Sequence, residues 1–74
     1  MKVLVVGANG KVARHFAEIV KDHESIQEKA MIRKAEQESF FEERGIETVL
    51  LDLAKNSIDE LAEAAKGMDA VIFS

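Results

Sequence analysis

Val3-Leu4-Val5-Val6-Gly7-Ala8-Asn9-Gly10-Lys11-Val12-Ala13 decides how this chain folds. The apolar run Val3 to Val6 has no polar interruption. That is the pattern of a strand buried on both faces, and so of a parallel sheet. Gly7 ends the run, and from Lys11 to about Asp22 the apolar positions become Val12, Phe16, Ile19 and Val20, one stripe of a helix. The joint between them reads G-x-x-G-x-x-A. Gly7 permits a tight turn out of the strand, Gly10 has no Cβ and lets a pyrophosphate reach the backbone, and Ala13 is small enough for the helix to lie against the sheet. Free N–H groups at the helix start, together with its dipole, form an anion site. The bare alternative is a glycine-bearing turn with no ligand. The strand before the motif and the helix after it are the context that favours nucleotide binding. No G-K-[ST] follows at P-loop spacing, which argues against mononucleotide phosphotransfer.

Working outward, the same alternation continues. Ala30-Met31-Ile32 reads as a short strand led in by polar residues. Ala35 to Arg44 reads as a charged helix anchored by Phe40 and Phe41, stopped by Gly45 as a residue of positive φ. Val49-Leu50-Leu51, after Ile46-Glu47-Thr48, is a third strand. Ser57-Ile58-Asp59-Glu60 has the form of a capping box, and Ile58, Leu61, Ala62 and Ala65 line one face of the helix that it opens. Gly67 ends that helix, and Ala70-Val71-Ile72-Phe73 is a fourth strand before Ser74. The order β-α-β-α-β-α-β predicts parallel strands joined by helical crossovers, an α/β architecture with helices on both faces.

Composition narrows the chemistry. The chain has 74 residues, with 47% hydrophobic and 32% charged, a net charge of −4, and no Cys, Pro, Trp or Tyr. This is the make-up of a soluble globular protein, and the length suits one small domain spanning 1–74. Thiol nucleophiles, thiolate metal sites and phenolic acids are excluded within it. The net negative charge disfavours a sequence-independent nucleic-acid binder. No apolar run approaches a membrane span, and the start is too short for a signal peptide, so a cytoplasmic location is expected. His15 and His23 lack metal-site spacing; His15 reads as a surface or packing residue, and His23 as a helix C-terminal residue that would favour the dipole if charged. The Glu-rich stretch 36–43 lacks an EF-hand loop and reads as a solvated face.

Two further positions bear on a cofactor. At the end of the second strand, where an acidic residue binds the ribose 2′-hydroxyl of NAD, this chain has Arg33 and Lys34. A guanidinium holds a 2′-phosphate by charge-assisted, bidentate contact, so the pair favours NADP over NAD. Their alternative role is to balance Glu36, Glu38, Glu42 and Glu43. Asp52 and Leu53, after the third strand, are placed to flank an adenine, Asp52 by hydrogen bonding and Leu53 by apolar contact. Alternatively, Asp52 only starts a turn. Phe73 and Ser74 would approach the ribose and the cofactor's centre.

Taken with Ala30-Met31-Ile32-Arg33-Lys34, Val49-Leu50-Leu51-Asp52-Leu53 and Gly67-Met68-Asp69-Ala70-Val71-Ile72-Phe73-Ser74, the opening motif resembles the N-terminal half of an atypical short-chain dehydrogenase/reductase. Its nearest counterpart is the NAD(P)H-binding, NmrA-like set of sugar-epimerase homologues. The resemblance runs over essentially the whole chain. It implies a Rossmann-like, three-layer half-domain with strand order 3-2-1-4. It also implies cofactor contacts from Gly7, Asn9, Gly10, Lys11, Val12, Arg33, Lys34, Asp52 and Leu53, with Ser74 beside them.

Members of that family continue past the position of Ser74, and the superfamily often uses a Tyr–Lys pair that has no counterpart here. The expectation is therefore the NADP(H)-binding portion of an oxidoreductase or nucleotide-sugar-epimerase homologue, with no catalytic site of its own. Two rivals are a dinucleotide-sensing regulatory module and a truncated, self-associating scaffold. In the 3-2-1-4 order the fourth strand is an apolar edge, so pairing with a second copy there is also expected.

Overall fold

The computed structural model describes residues 1–52, 54–55 and 58–74. The elements in chain order are β1 (Lys2–Val6), α1 (Lys11–Val20), β2 (Gln27–Ile32), a 3₁₀ turn (Ala35–Gln37), α2 (Glu38–Glu42), β3 (Glu47–Leu50), α3 (Ile58–Ala65) and β4 (Ala70–Phe73). The strands form one parallel sheet in the order β3-β2-β1-β4. Val5 of β1 lies between Ala30 of β2 and Ile72 of β4. Connections leave β1 toward β2 on one side and return to β4 on the other. The ends of β1 and β4 therefore bound the crevice where a doubly wound sheet receives ligands. This is the Rossmann-like α/β half-domain expected from the sequence.

The strand side chains divide between two cores because alternate residues face opposite ways. Val3, Val5, Ala30 and Ile32 join Ala8, Ala13, Ala17, Phe41 and Ile46 on the α1/α2 side. Leu4, Val6 and Met31 join Leu51 and Ala64 on the α3 side. Phe41 is fully buried and packs its ring edge-on to Phe40, with centroids 5.0 Å apart. Double burial explains why β1 carries no polar residue beyond Lys2.

Four readings of the sequence need correction. The buried face of α1 is Ala13, Ala17 and Val20, with Phe16 partly covered. Val12 and Ile19 point away from the core and are 78% and 50% exposed. Small residues win at the sheet because they let the helix backbone come close. The second strand begins at Gln27, three residues before its apolar run, because β1 supplies backbone partners from Lys2 onward. The second helical segment is a 3₁₀ turn followed by five α-helical residues, with 43–45 outside it. In α3, Ala64 is buried, Leu61 and Ala65 pack against the second core, and Ile58 and Ala62 are exposed.

The stop at Gly45 is a Schellman motif: Ile46 N–H donates to the Phe41 carbonyl (2.9 Å) and Gly45 N–H to that of Glu42 (3.0 Å), with Gly45 at φ +69°. Ser57, and with it the expected capping box, lies outside the described residues.

Candidate functional site

The turn after β1 is held by its neighbours. Ala8 N–H donates to the Met31 carbonyl (3.2 Å), Gly10 N–H to that of Gly7 (3.2 Å), and Ser74 N–H to that of Val6 (3.0 Å). Gly7 sits at φ +77°, and a Cβ there would lie 2.7 Å from the Ser74 carbonyl oxygen. Its glycine is required by the protein itself, on both conformation and space.

Gly10 is different. It caps α1 in an extended conformation, φ −68°. Among the described residues an added Cβ would meet only the Gly7 carbonyl oxygen at 3.6 Å and Ser74 Oγ at 3.7 Å, ordinary contacts. The chain does not need a glycine there for its own packing. What a Cβ would fill is space above the first turn of α1. Helix geometry leaves the first amides of that turn without intrahelical partners, and the N-cap residue, Gly10, has no side chain to cap them. Lys11 and Val12 occupy this turn, both exposed.

A cavity of about 460 Å³, within the range of small-molecule sites, opens at this end of the sheet. Gly7, Asn9, Gly10, Arg33, Asp52 and Ser74, all singled out from the sequence, share its lining. Lys34 is exposed and is not part of that lining. Leu53 lies outside the described residues. Among the described residues neither Arg33 nor Lys34 makes an ion pair with the acidic segment that follows. Within that segment the Glu38 carboxyl, one helical turn away, pushes Glu42 upward. Asp52 does start a turn, since Oδ1 accepts from Ala54 N–H (2.9 Å) and its carbonyl from Lys55 N–H (2.9 Å). It does so while lining the cavity, so its two sequence readings are compatible.

Two residues escaped the sequence reading. Gln37 lines the cavity, and its Oε1 accepts from Arg33 N–H and Lys34 N–H, each at 3.3 Å. Arg14 donates from Nε (2.9 Å) and Nη2 (2.5 Å) to Asn9 Oδ1. The Arg14 guanidinium also lies 4.4 Å from the Phe40 ring centroid, and that of Arg44 lies 3.7 Å from it. Arg44 in turn donates to the Phe40 carbonyl (2.8 Å) and pairs with Glu18, which also meets Lys21 at 3.2 Å. Those two cations hold the Glu18 carboxyl below its ordinary value. The Asn9 side chain is thus oriented through α1 and α2 together. Only the long-range packing of Phe40 against two arginines discloses this; Asn9 and Arg14 being five residues apart was the one local signal.

A second cleft, about 360 Å³, opens at the other end of the sheet between Lys2, Lys21, His23, Lys29, Arg44 and Glu47. Glu28 is buried beneath it, 6% exposed, and both of its carboxyl oxygens lack partners among the described residues. Burial pushes its pKa up to about 7. Of the cations lining that cleft, Lys21 and Arg44 pair with Glu18, and Lys29 meets Glu47 at 3.9 Å. Among the described residues no group of three or more His, Asp or Glu is placed to hold a metal ion. No described helix is long and apolar enough to cross a membrane.

Comparison with known proteins agrees with this geometry. The NAD(P)H-binding family model matches residues 7–74. An uncharacterized sugar epimerase of Bacillus subtilis (strain 168), YhfK, is 42% identical over 74 residues, covering all of this chain and 34% of that protein. The UPF0659 protein YMR090W of Saccharomyces cerevisiae is 40% identical over 76 residues, again with 100% and 34% coverage. A solved structure from Bacillus halodurans, provisionally described as an NAD-dependent epimerase/dehydratase, superposes with a TM-score of 0.77 at 36% identity. It is matched over all of this chain and 33% of its own. The chain therefore spans about a third of the length of the curated relatives it matches.

Proposed function

The chain belongs to the NAD(P)H-binding family, and on that premise we propose that it is a dinucleotide-binding unit that holds NADP(H) in the cavity at the carboxyl ends of β1 and β2. The observation that carries this reading is Gly10. Its missing Cβ is not demanded by the protein's own packing, yet it keeps the uncapped start of α1 open to an approaching diphosphate. Gly7, Asn9, Gly10, Lys11 and Val12 would surround the diphosphate. Arg33, with Lys34 nearby, would meet the 2′-phosphate, and Asp52 and Leu53 the adenine. Ser74 would lie toward the ribose and nicotinamide side.

A nicotinamide dinucleotide, when bound, carries hydride to or from a carbonyl or alcohol. The residues of this chain position and neutralise it. The first amides of α1 supply hydrogen bonds and a positive dipole end. The guanidinium of Arg33 supplies charge at the rim. The reading extends to the longer relatives as an oxidoreductase or nucleotide-sugar-epimerase role in which this segment binds and does not turn over substrate. It also includes self-association through β4, an edge strand whose Val71, Ile72 and Phe73 are all exposed.

Calorimetric titration with NADPH, NADH and adenosine 2′,5′-bisphosphate tests the proposal. Binding with preference for the 2′-phosphorylated ligands is expected, and Arg33→Ala should reduce that preference about tenfold or more, the worth of a charge-assisted hydrogen bond. Absence of binding by all three ligands refutes the reading.

A further inference from the structure

Gln37 has its side-chain orientation settled by the backbone before it. Oε1 accepts two converging N–H groups, from Arg33 and Lys34, each at 3.3 Å. With the amide turned over, its NH₂ would face two N–H donors, so the oxygen must be on that side. The group left over is Nε2, a donor without a hydrogen-bond partner among the described residues. Gln37 is partly buried and lines the same cavity as Arg33.

We propose that Gln37 is a specificity-determining residue that offers Nε2 as a second donor, beside the Arg33 guanidinium, to the 2′-phosphate of the cofactor. This rests on the NADP(H) reading above. The chemistry is a matter of what this part of the rim can and cannot do. With Oε1 already engaged by the backbone, the Arg33 guanidinium and the Gln37 NH₂ offer donors only, and donors bond a charged phosphate oxygen about twice as strongly as a neutral one. The carboxylate that would accept from a free 2′-hydroxyl has no counterpart in this pair. Asp52, the carboxylate on the same cavity, follows β3 and not β2, and its Oδ1 receives Ala54 N–H in the turn there.

The variant Gln37→Glu isolates the claim. Glutamate has the same shape and keeps an oxygen for the Arg33 and Lys34 amides, so the turn into α2 is preserved. Only the donor becomes a negatively charged acceptor. The measurement is the ratio of affinities for adenosine 2′,5′-bisphosphate and 5′-AMP, by calorimetry on the whole chain, with thermal melts of each variant.

In Gln37→Glu the ratio should fall at least about tenfold with the melt unchanged. In Gln37→Ala it should fall less, because a donor is lost but no repulsion is added. If the wild type prefers the bisphosphate and Gln37→Glu leaves the ratio unchanged, Gln37 only caps the turn and the inference is overturned while the NADP(H) reading stands. If the wild type shows no such preference, or binds neither ligand, the NADP(H) reading fails and this inference with it. Should Gln37→Ala fail to fold, Gln37→Met, which keeps the length of the side chain and removes the donor without adding charge, upholds the inference by a fall in the ratio and overturns it by an unchanged ratio.

Discussion

Glu28→Gln should stabilise the protein, and by an amount that depends on pH. The Glu28 carboxyl is buried on the α1/α2 side of the sheet with neither oxygen paired among the described residues. Desolvation raises its pKa from the ordinary 4.5 to about 7. At about 1.4 kcal/mol per pH unit, that difference amounts to about 3 kcal/mol. The direction follows from proton binding. Below 4.5 both folded and unfolded states hold the proton, and Glu28 costs nothing extra. Between 4.5 and about 7 the unfolded chain releases its proton while the folded one keeps it, so stability declines as pH rises. Above about 7 the full penalty is present.

Glutamine mimics the protonated acid and cannot ionise. Urea unfolding near pH 4 should therefore find wild type and Glu28→Gln nearly equal, whereas near pH 8 the variant should be more stable by about 3 kcal/mol. Comparing the two proteins cancels the opposite contribution of Glu18, whose lowered pKa adds stability above its unfolded value. Equal stability of the pair near pH 8 would refute the reasoning, because it would mean that the Glu28 carboxylate finds solvation or a partner in the folded state.

The two glycines of the turn should separate folding from binding. Gly7→Ala meets the Ser74 carbonyl at 2.7 Å and a φ of +77°, and should cost about 2 kcal/mol or more in unfolding free energy. Gly10→Ala should stay within about 1 kcal/mol of wild type while weakening NADPH binding more than tenfold; calorimetry beside denaturant titration checks both. Sedimentation velocity over a concentration series should show wild-type association that Ile72→Lys abolishes, since a charge on the edge strand β4 blunts pairing. A monomer at every concentration would remove the edge from consideration.

Much of the fold was legible in the linear chain because the decisive signals are local. An uninterrupted Val3–Val6 run followed by spaced glycines needs no distant information to be read as a strand, a tight turn and a helix. Gly45 and Gly67 stand at φ +69° and +82° where the pattern placed helix ends. The helix faces were less legible. Reading by bulk selected Val12 and Ile19, whereas closeness to the sheet selects Ala13 and Ala17, and closeness is a property of two packed elements. Likewise, nothing about Gln27-Glu28-Lys29 alone says strand; β1 recruits it by backbone pairing.

The candidate site divides in the same way. Its glycines, and a basic pair where a carboxylate is usual, are choices of residue type at fixed spacing, so they could be read from order alone. The gathering of Arg33, Asp52 and Ser74 around one cavity depends on β2, β3 and β4 all ending at the same edge of one parallel sheet, with β1 between β2 and β4. The turning of Gln37 toward two backbone amides, the clamp of Arg14 on Asn9 and the isolation of Glu28 depend on which groups folding brings within reach. Spacing along the chain governs backbone conformation over a few residues. Partnership between side chains is a matter of distance in space, and for residues far apart in sequence that distance exists only once the sheet has assembled.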